Sequence, residues 1–196
     1  MQPSELYQQR CSEQDWDDNP AQRDILQTLD NVCTQINRRW IPLAWRRQNV
    51  HGLYLYGDVG TGKSTVLSML FNCIQDTRKK RMHFHQFMQE CAQAIQQQQG
   101  KKYPVQRMVR AMRRQYRVFF LDEFIVHDIA HAMLLQRILA ACKRYGIFII
   151  TSANTSPHDS YAHGINRSLF DPTVDLIEQH YQVIEIDSDI DYRQHQ

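Results

Sequence analysis

The sequence predicts an α/β fold in which a parallel sheet is covered by helices on both faces. Two observations carry that expectation. Short apolar runs alternate along the chain with stretches whose apolar residues recur every three or four positions, the pattern of strands joined by helical crossovers. The first of these runs ends in a glycine-rich octapeptide closing on Lys-Ser, and an amphipathic stretch follows it, as where a phosphate-binding loop joins a strand to a helix.

The elements follow in order. Residues 1–18 are polar and acidic and read as a flexible N-terminal arm, with the core spanning 19–196. Asn19-Pro20 reads as N-cap and first helical residue. Ile25, Leu29, Val32 and Ile36 then fall on one helical face. Residues 38–49 hold several basic residues and Pro42 and read as a connector. Residues 52–56 form the first strand and 57–64 a loop. Val66, Leu67, Leu70, Phe71 and Ile74 mark a helix that ends before Arg78–Arg81, a basic run read as a solvated helix exit. Residues 82–87 read as the second strand, running into a helix near 88–98. Pro104 opens a helix lasting to about residue 115. Residues 117–121 form the third strand. Ile129, Met133, Leu134, Ile138 and Leu139 mark the next helix, and 147–150 form the fourth strand. Pro172 opens a short helix before a fifth strand over 182–186.

Composition narrows the function classes. At 196 residues, 42% apolar and 22% charged, the chain suits one soluble domain, and a net charge of +2 says little about partners. The charge is unevenly spread. Glu5, Glu13, Asp15, Asp17, Asp18, Asp24 and Asp30 crowd the first thirty residues, whereas residues 101–117 carry lysines and arginines and no acid. The five cysteines form no Cys-x-x-Cys pair, so they read as reduced core fillers and not as a zinc or redox motif. His83 and His85 share a strand face and read as packing or hydrogen-bonding residues. No apolar run is long enough to span a membrane, and the acidic start lacks a signal-peptide core, so a cytoplasmic location is expected.

The chemistry lies in three places. Gly57-Asp58-Val59-Gly60-Thr61-Gly62-Lys63-Ser64 fits the P-loop pattern G-x-x-x-x-G-K-S, with Thr65 in the helix behind it. Glycines let the backbone wrap phosphates, and the helix that follows adds its positive end. Lys63 reaches the β- and γ-phosphates of ATP, and the Ser64 hydroxyl suits magnesium. Residues 118–123 form an apolar strand ending in two acids, the Walker B pattern. Asp122 would hold the magnesium shell and Glu123 would orient and deprotonate the attacking water. Asn154, after the fourth strand, is the best candidate for sensing the γ-phosphate, with Ser152 and Thr151 behind it; turn chemistry is the plainer account of the same residues. Arg107, Arg110, Arg114 and Arg117 share a helical face that suits nucleic acid, but a solvated face packed on a neighbouring subunit is the favoured account.

Longer motifs point further. The run 81–88, Arg-Met-His-Phe-His-Gln-Phe-Met, resembles the R-x-H-F-H-x-F-M signature of the ZapE family of AAA+ ATPases, which comprises a bacterial cell-division protein and mitochondrial relatives. Residues 122–135 resemble that family's extended Walker B, and Thr151-Ser152-Ala153-Asn154 is similar to its sensor segment. Tyr161, Gly164, Arg167, Phe170, Pro172 and Asp191-Tyr192-Arg193 also match. The resemblance implies an AAA+ core, a three-layer α/β/α sandwich with strand order 5-1-4-3-2, and ring-like assembly in which Arg167 is the arginine finger. It also implies ATP and magnesium as cofactors and a protein partner, in division or in protein quality control. Leu169 stands where the family usually has a second arginine. The family's long C-terminal portion, with its lid, is not matched after residue 193. The alternative functions are a nucleic-acid-associated ATPase, such as a helicase loader or transposition helper, and a slow nucleotide-dependent scaffold.

Overall fold

Five short segments pair side by side into one parallel sheet: β1 (Gly52–Tyr56), β2 (Lys79–His83), β3 (Val118–Asp122), β4 (Phe148–Ala153) and β5 (Tyr181–Glu185). Their order is β2-β3-β4-β1-β5, the expected 5-1-4-3-2 read from the other end, and every pairing is parallel. The computed structural model describes residues 1–13, 20–37, 50–162 and 164–186. The described helices are α1 (Pro3–Glu13), α2 (Pro20–Asn37), α3 (Lys63–Cys73), α4 (Phe84–Gln96), α5 (Pro104–Gln115), α6 (Ile129–Tyr145) and α7 (Asp171–His180).

Alternation along the strands divides the core in two. Leu53 and Leu55 of β1, with Val118 and Phe120 of β3, pack against α1, α2 and α3. Tyr54, Phe119 and Leu121 point the other way, among residues of α4 to α7. All seven are buried, and each such side chain contributes about 1.5–3 kcal/mol relative to exposure. The result is the expected α/β/α sandwich. Helix ends follow local chemistry. The Asp128 side chain accepts from His131 N–H at 2.8 Å to start α6, and Gly146, at φ 71°, ends it in a left-handed turn after Lys143 and Arg144.

Two expectations change. A loose arm was expected over 1–18, yet residues 3–13 form α1. Tyr7 is buried, and Asp30 of α2 accepts from the backbone N–H and the hydroxyl of Ser4 at 2.9 and 2.5 Å. Residues 14–18 of that arm, the Asn19 cap, the 38–49 connector and Asp191-Tyr192-Arg193 lie outside the described residues. The second strand is 79–83, not 82–87. Phe84, Phe87, Met88 and Cys91 recur at helical spacing and are buried as one stripe of α4. The basic run is therefore strand, not helix exit. Lys79 Nζ donates to the carbonyls of Phe71 and Ile74, both at 2.5 Å, at the end of α3. Lys80 points the other way, to Glu90 on α4 at 3.0 Å.

Candidate nucleotide site

In the sheet order β4 lies between β1 and β3, so the loops leaving these three parallel strands meet at one end of the sheet. The P-loop leaves β1, Asp122 and Glu123 close β3, and Asn154 follows β4. The register agrees: Tyr56 is level with Ala153, and Leu121 with Thr151.

The P-loop is shaped by close approaches. A Cβ at residue 57 would stand 2.2 Å from the Ile186 carbonyl oxygen, so only glycine lets β1 turn there. Gly62 has φ 85°, and a Cβ there would meet Gln22 Nε2 at 2.1 Å; Gln22 itself donates to the Thr61 carbonyl at 3.3 Å. Asp58, Val59 and Gly60 form an exposed rim, while Thr61 is buried with its hydroxyl donating to the Asp58 carbonyl at 3.0 Å. Residues 63 to 65 open α3, so the loop lies against a helix N-terminus. Lys63 is 8% exposed, and its ammonium donates to the carbonyls of Gly57 (2.7 Å) and Asp58 (2.6 Å). Burial pushes its pKa below the ordinary value, against the opposing pull of Asp58. The ammonium therefore stands inside the loop, where phosphate oxygens can replace those carbonyls.

The two acids are held differently. Asp122 is largely buried and accepts a bidentate pair of hydrogen bonds from Arg81 on β2. Glu123 is 72% exposed and lies 3.6 Å from His83 Nδ1. Its backbone has φ 59°, a left-handed conformation uncommon for glutamate. Ser152 of β4 supports that turn from both sides: its hydroxyl accepts from Glu123 N–H (3.3 Å) and its carbonyl from Phe124 N–H (2.7 Å). Thr151 donates to the Leu121 carbonyl at 2.9 Å.

Asn154 is exposed at the end of β4. Tyr54 of β1 steadies the loop behind it, its hydroxyl meeting the Thr155 carbonyl (3.1 Å) and Ser160 Oγ (2.7 Å). Arg167 stands on a different partner set: it donates to Asp171 and to the His158 carbonyl (2.8 Å), and its guanidinium lies 5.4 Å from the Phe170 ring centre. Sequence reasoning missed Arg81, Gln22 and Tyr54 as site residues and gave Ser152 a different role. Arg81 had a signal, since it opens the 81–88 signature.

A separate groove of about 910 Å³ lies along α5 and the end of α6. Lys102, Arg107, Arg110, Arg114, Arg144 and the 70% exposed Tyr103 line it, and no acid among the described residues does.

Comparison with known proteins adds the following. The AFG1-like ATPase family model matches residues 1–196. The cell division protein ZapE of Escherichia coli K12 is 35% identical over 144 residues, 74% of this chain and 38% of that protein, so the chain spans well under half of that relative's length. Domain III of the replication initiation protein DnaA of Thermotoga maritima superposes with TM-score 0.61 at 16% identity, over 88% of this chain and 65% of that one. The DnaC helicase loader gives 0.60 at 14% identity, over 87% and 92%. These structures share the P-loop NTPase fold.

Proposed function

The chain belongs to the AFG1-like ATPase family, and from that premise we propose that it binds ATP with magnesium in the 57–64 loop and hydrolyses it with water. The carrying observation is the meeting of the P-loop, the Asp122-Glu123 pair and Asn154 at the ends of three adjacent strands. Lys63 and the amides at the start of α3 take the phosphates. Glu123, exposed and aimed by a fixed backbone turn, takes the proton of the attacking water. Asn154 positions that water against the γ-phosphate.

Magnesium, when bound, neutralises phosphate charge. Ser64 and Asp122 offer the hard oxygen donors it prefers. One guanidinium, that of Arg81, touches both the Asp122 carboxylate and the Ser64 carbonyl, so the residues that carry the two donors are neighbours. No cluster of three His, Cys, Asp or Glu able to hold a metal exists among the described residues. Phosphate oxygens and water would supply the remaining ligands.

The resemblance at 81–88 and 122–135 supports work on a protein partner, in cell division or protein quality control, by a ring in which Arg167 reaches the neighbour's ATP. Among the described residues no helix is long and apolar enough to cross a membrane, and we place the activity in the cytoplasm. The ATPase core is read over 19–196, with α1 packed against it. The test is titration with a fluorescent ATP analogue. Lys63→Ala should abolish binding, and unchanged affinity would remove the P-loop assignment.

One observation favours a second reading, a nucleic-acid-associated ATPase: the basic groove with the exposed Tyr103 in its lining. Arg107, Arg110 and Arg114 recur at three and four residues, roughly 4.5–6 Å apart along the helix, and Tyr103 offers a stacking face. Binding of an oligo-dT there should weaken steeply with salt, by about −0.7 in log–log slope per phosphate engaged. Absence of binding at low salt leaves the protein-partner reading.

A further inference from the structure

Arg81 spans three elements. Its Nε donates to Asp122 Oδ2 at 2.7 Å and its Nη2 to Asp122 Oδ1 at 3.1 Å. Nη1 donates to Ser68 Oγ at 2.6 Å, and Nη2 also reaches the Ser64 carbonyl at 3.4 Å. Ser68 closes the set by donating to that same carbonyl at 2.6 Å. One guanidinium from β2 thus ties the end of β3 to the first two turns of α3. The side chains are 26% and 15% exposed, which separates this pair from loosely held surface ion pairs.

We infer that Arg81 is a positioning residue for magnesium: it fixes the Asp122 carboxylate against the first turns of α3, which carry the Ser64 hydroxyl, so that both donors meet the ion together. The inference rests on the reading of Ser64 and Asp122 as the magnesium residues. A guanidinium is planar and its donors are fixed in a fork, so it sets both the place and the tilt of a carboxylate; an ammonium sets neither. Asp122 keeps its usefulness under the fork. A carboxylate has about four lone-pair sites, and Arg81 occupies one on each oxygen, leaving the others for the ion or its water. The arginine charge also opposes a nearby cation, but part of the guanidinium is open to water, which screens that repulsion. Lysine at 81 keeps the charge and loses the fork, so that variant removes the orientation and leaves the repulsion in place.

The test measures binding, not turnover. Affinity for a fluorescent ATP analogue is titrated in magnesium and in EDTA, and the ratio is the magnesium enhancement. Arg81→Lys should leave the EDTA affinity within about twofold of wild type, while the enhancement falls roughly 10–100-fold, the usual effect of losing a partner behind a metal ligand. Asp122→Asn should lose the enhancement too, and Arg81→Lys added to Asp122→Asn should remove nothing further, because both act through one contact. A wild-type enhancement in Arg81→Lys overturns the inference. So does an equal loss in magnesium and in EDTA, which marks support of the loop only. If Arg81→Lys does not fold, Ser68→Ala removes one anchor of the same guanidinium: a smaller fall in enhancement supports the inference and none overturns it. Failure of the nucleotide site itself looks different, since wild type would then bind no more tightly than Lys63→Ala in either buffer.

Discussion

Glu123 sits in a backbone region that a glutamate occupies only when its surroundings hold it there, at a cost of about 1–3 kcal/mol. Ser152 supplies the holding contacts through its hydroxyl and its carbonyl. The turn leaves a largely exposed carboxylate just past the end of β3, open to an incoming water. Glu123→Gln should therefore leave nucleotide affinity unchanged and slow steady-state phosphate release by roughly 10²–10⁴-fold. Turnover at the wild-type rate would mean that another group is the base. At this scale the placement of the candidates was legible wherever they sit in one run: Lys63 and Ser64 where the loop enters α3, Asp122 and Glu123 at the end of an apolar strand. The support behind them was not. Ser152 meets Glu123, and Arg81 meets Asp122, only through strand register, and no spacing within one segment reveals register.

Among the elements, those with a strong apolar period were read well. The β1–loop–α3 unit and the helix opened by Pro104 are examples. The two misread elements lacked such a signal. Helix α1 has little apolar surface beyond Leu6 and Tyr7, and β2 carries three cations before its first buried residue, Met82. Cations in a strand look like an exposed helix end until their partners are known. The turn between α3 and β2 depends on such partners. Asp76 accepts from Arg78 N–H and from Arg117 Nη1, each at 2.9 Å. Burial alone would raise its pKa, but the Arg78 hydrogen bonds and the Arg117 charge outweigh that and hold it below the ordinary value. The unfolded chain then binds this proton more readily than the folded one. Stability from Asp76 is fully present above the unfolded carboxylate value of about 3.9 and is lost as pH falls through the lower, folded value. Asp76→Asn should lower stability at neutral pH and flatten the acid side of the stability profile, as read by urea unfolding between pH 6 and pH 2. An acid limb identical to wild type would deny Asp76 this role.

For the whole molecule, the α/β class was legible in the alternation of segments, while the strand order came from the resemblance at 81–88 and 122–135, since crossover patterns leave several orders open. Assembly is the property that spacing does not carry. Arg167 is bound to Asp171 and the His158 carbonyl of its own chain, so action on a neighbour's ATP requires it to exchange those contacts. Arg167→Ala should bind nucleotide normally and hydrolyse poorly, and wild-type specific activity should rise with protein concentration. Mixing Arg167→Ala with Glu123→Gln should restore part of the activity, because some interfaces then pair an intact finger with an intact base. Activity independent of concentration, with no rescue on mixing, would describe a working monomer. The position of β2 has one more consequence. It is the outermost strand on its side of the described sheet, so one row of its backbone donors and acceptors faces outward. Unpaired rows of that kind recruit strands from other molecules, and lysine or arginine along them discourages it. Lys79, Lys80 and Arg81 line this border. The charges that cap α3 and hold Asp122 are thus also the kind that discourage edge-to-edge strand pairing, so one row of side chains serves the site and guards the border of the sheet.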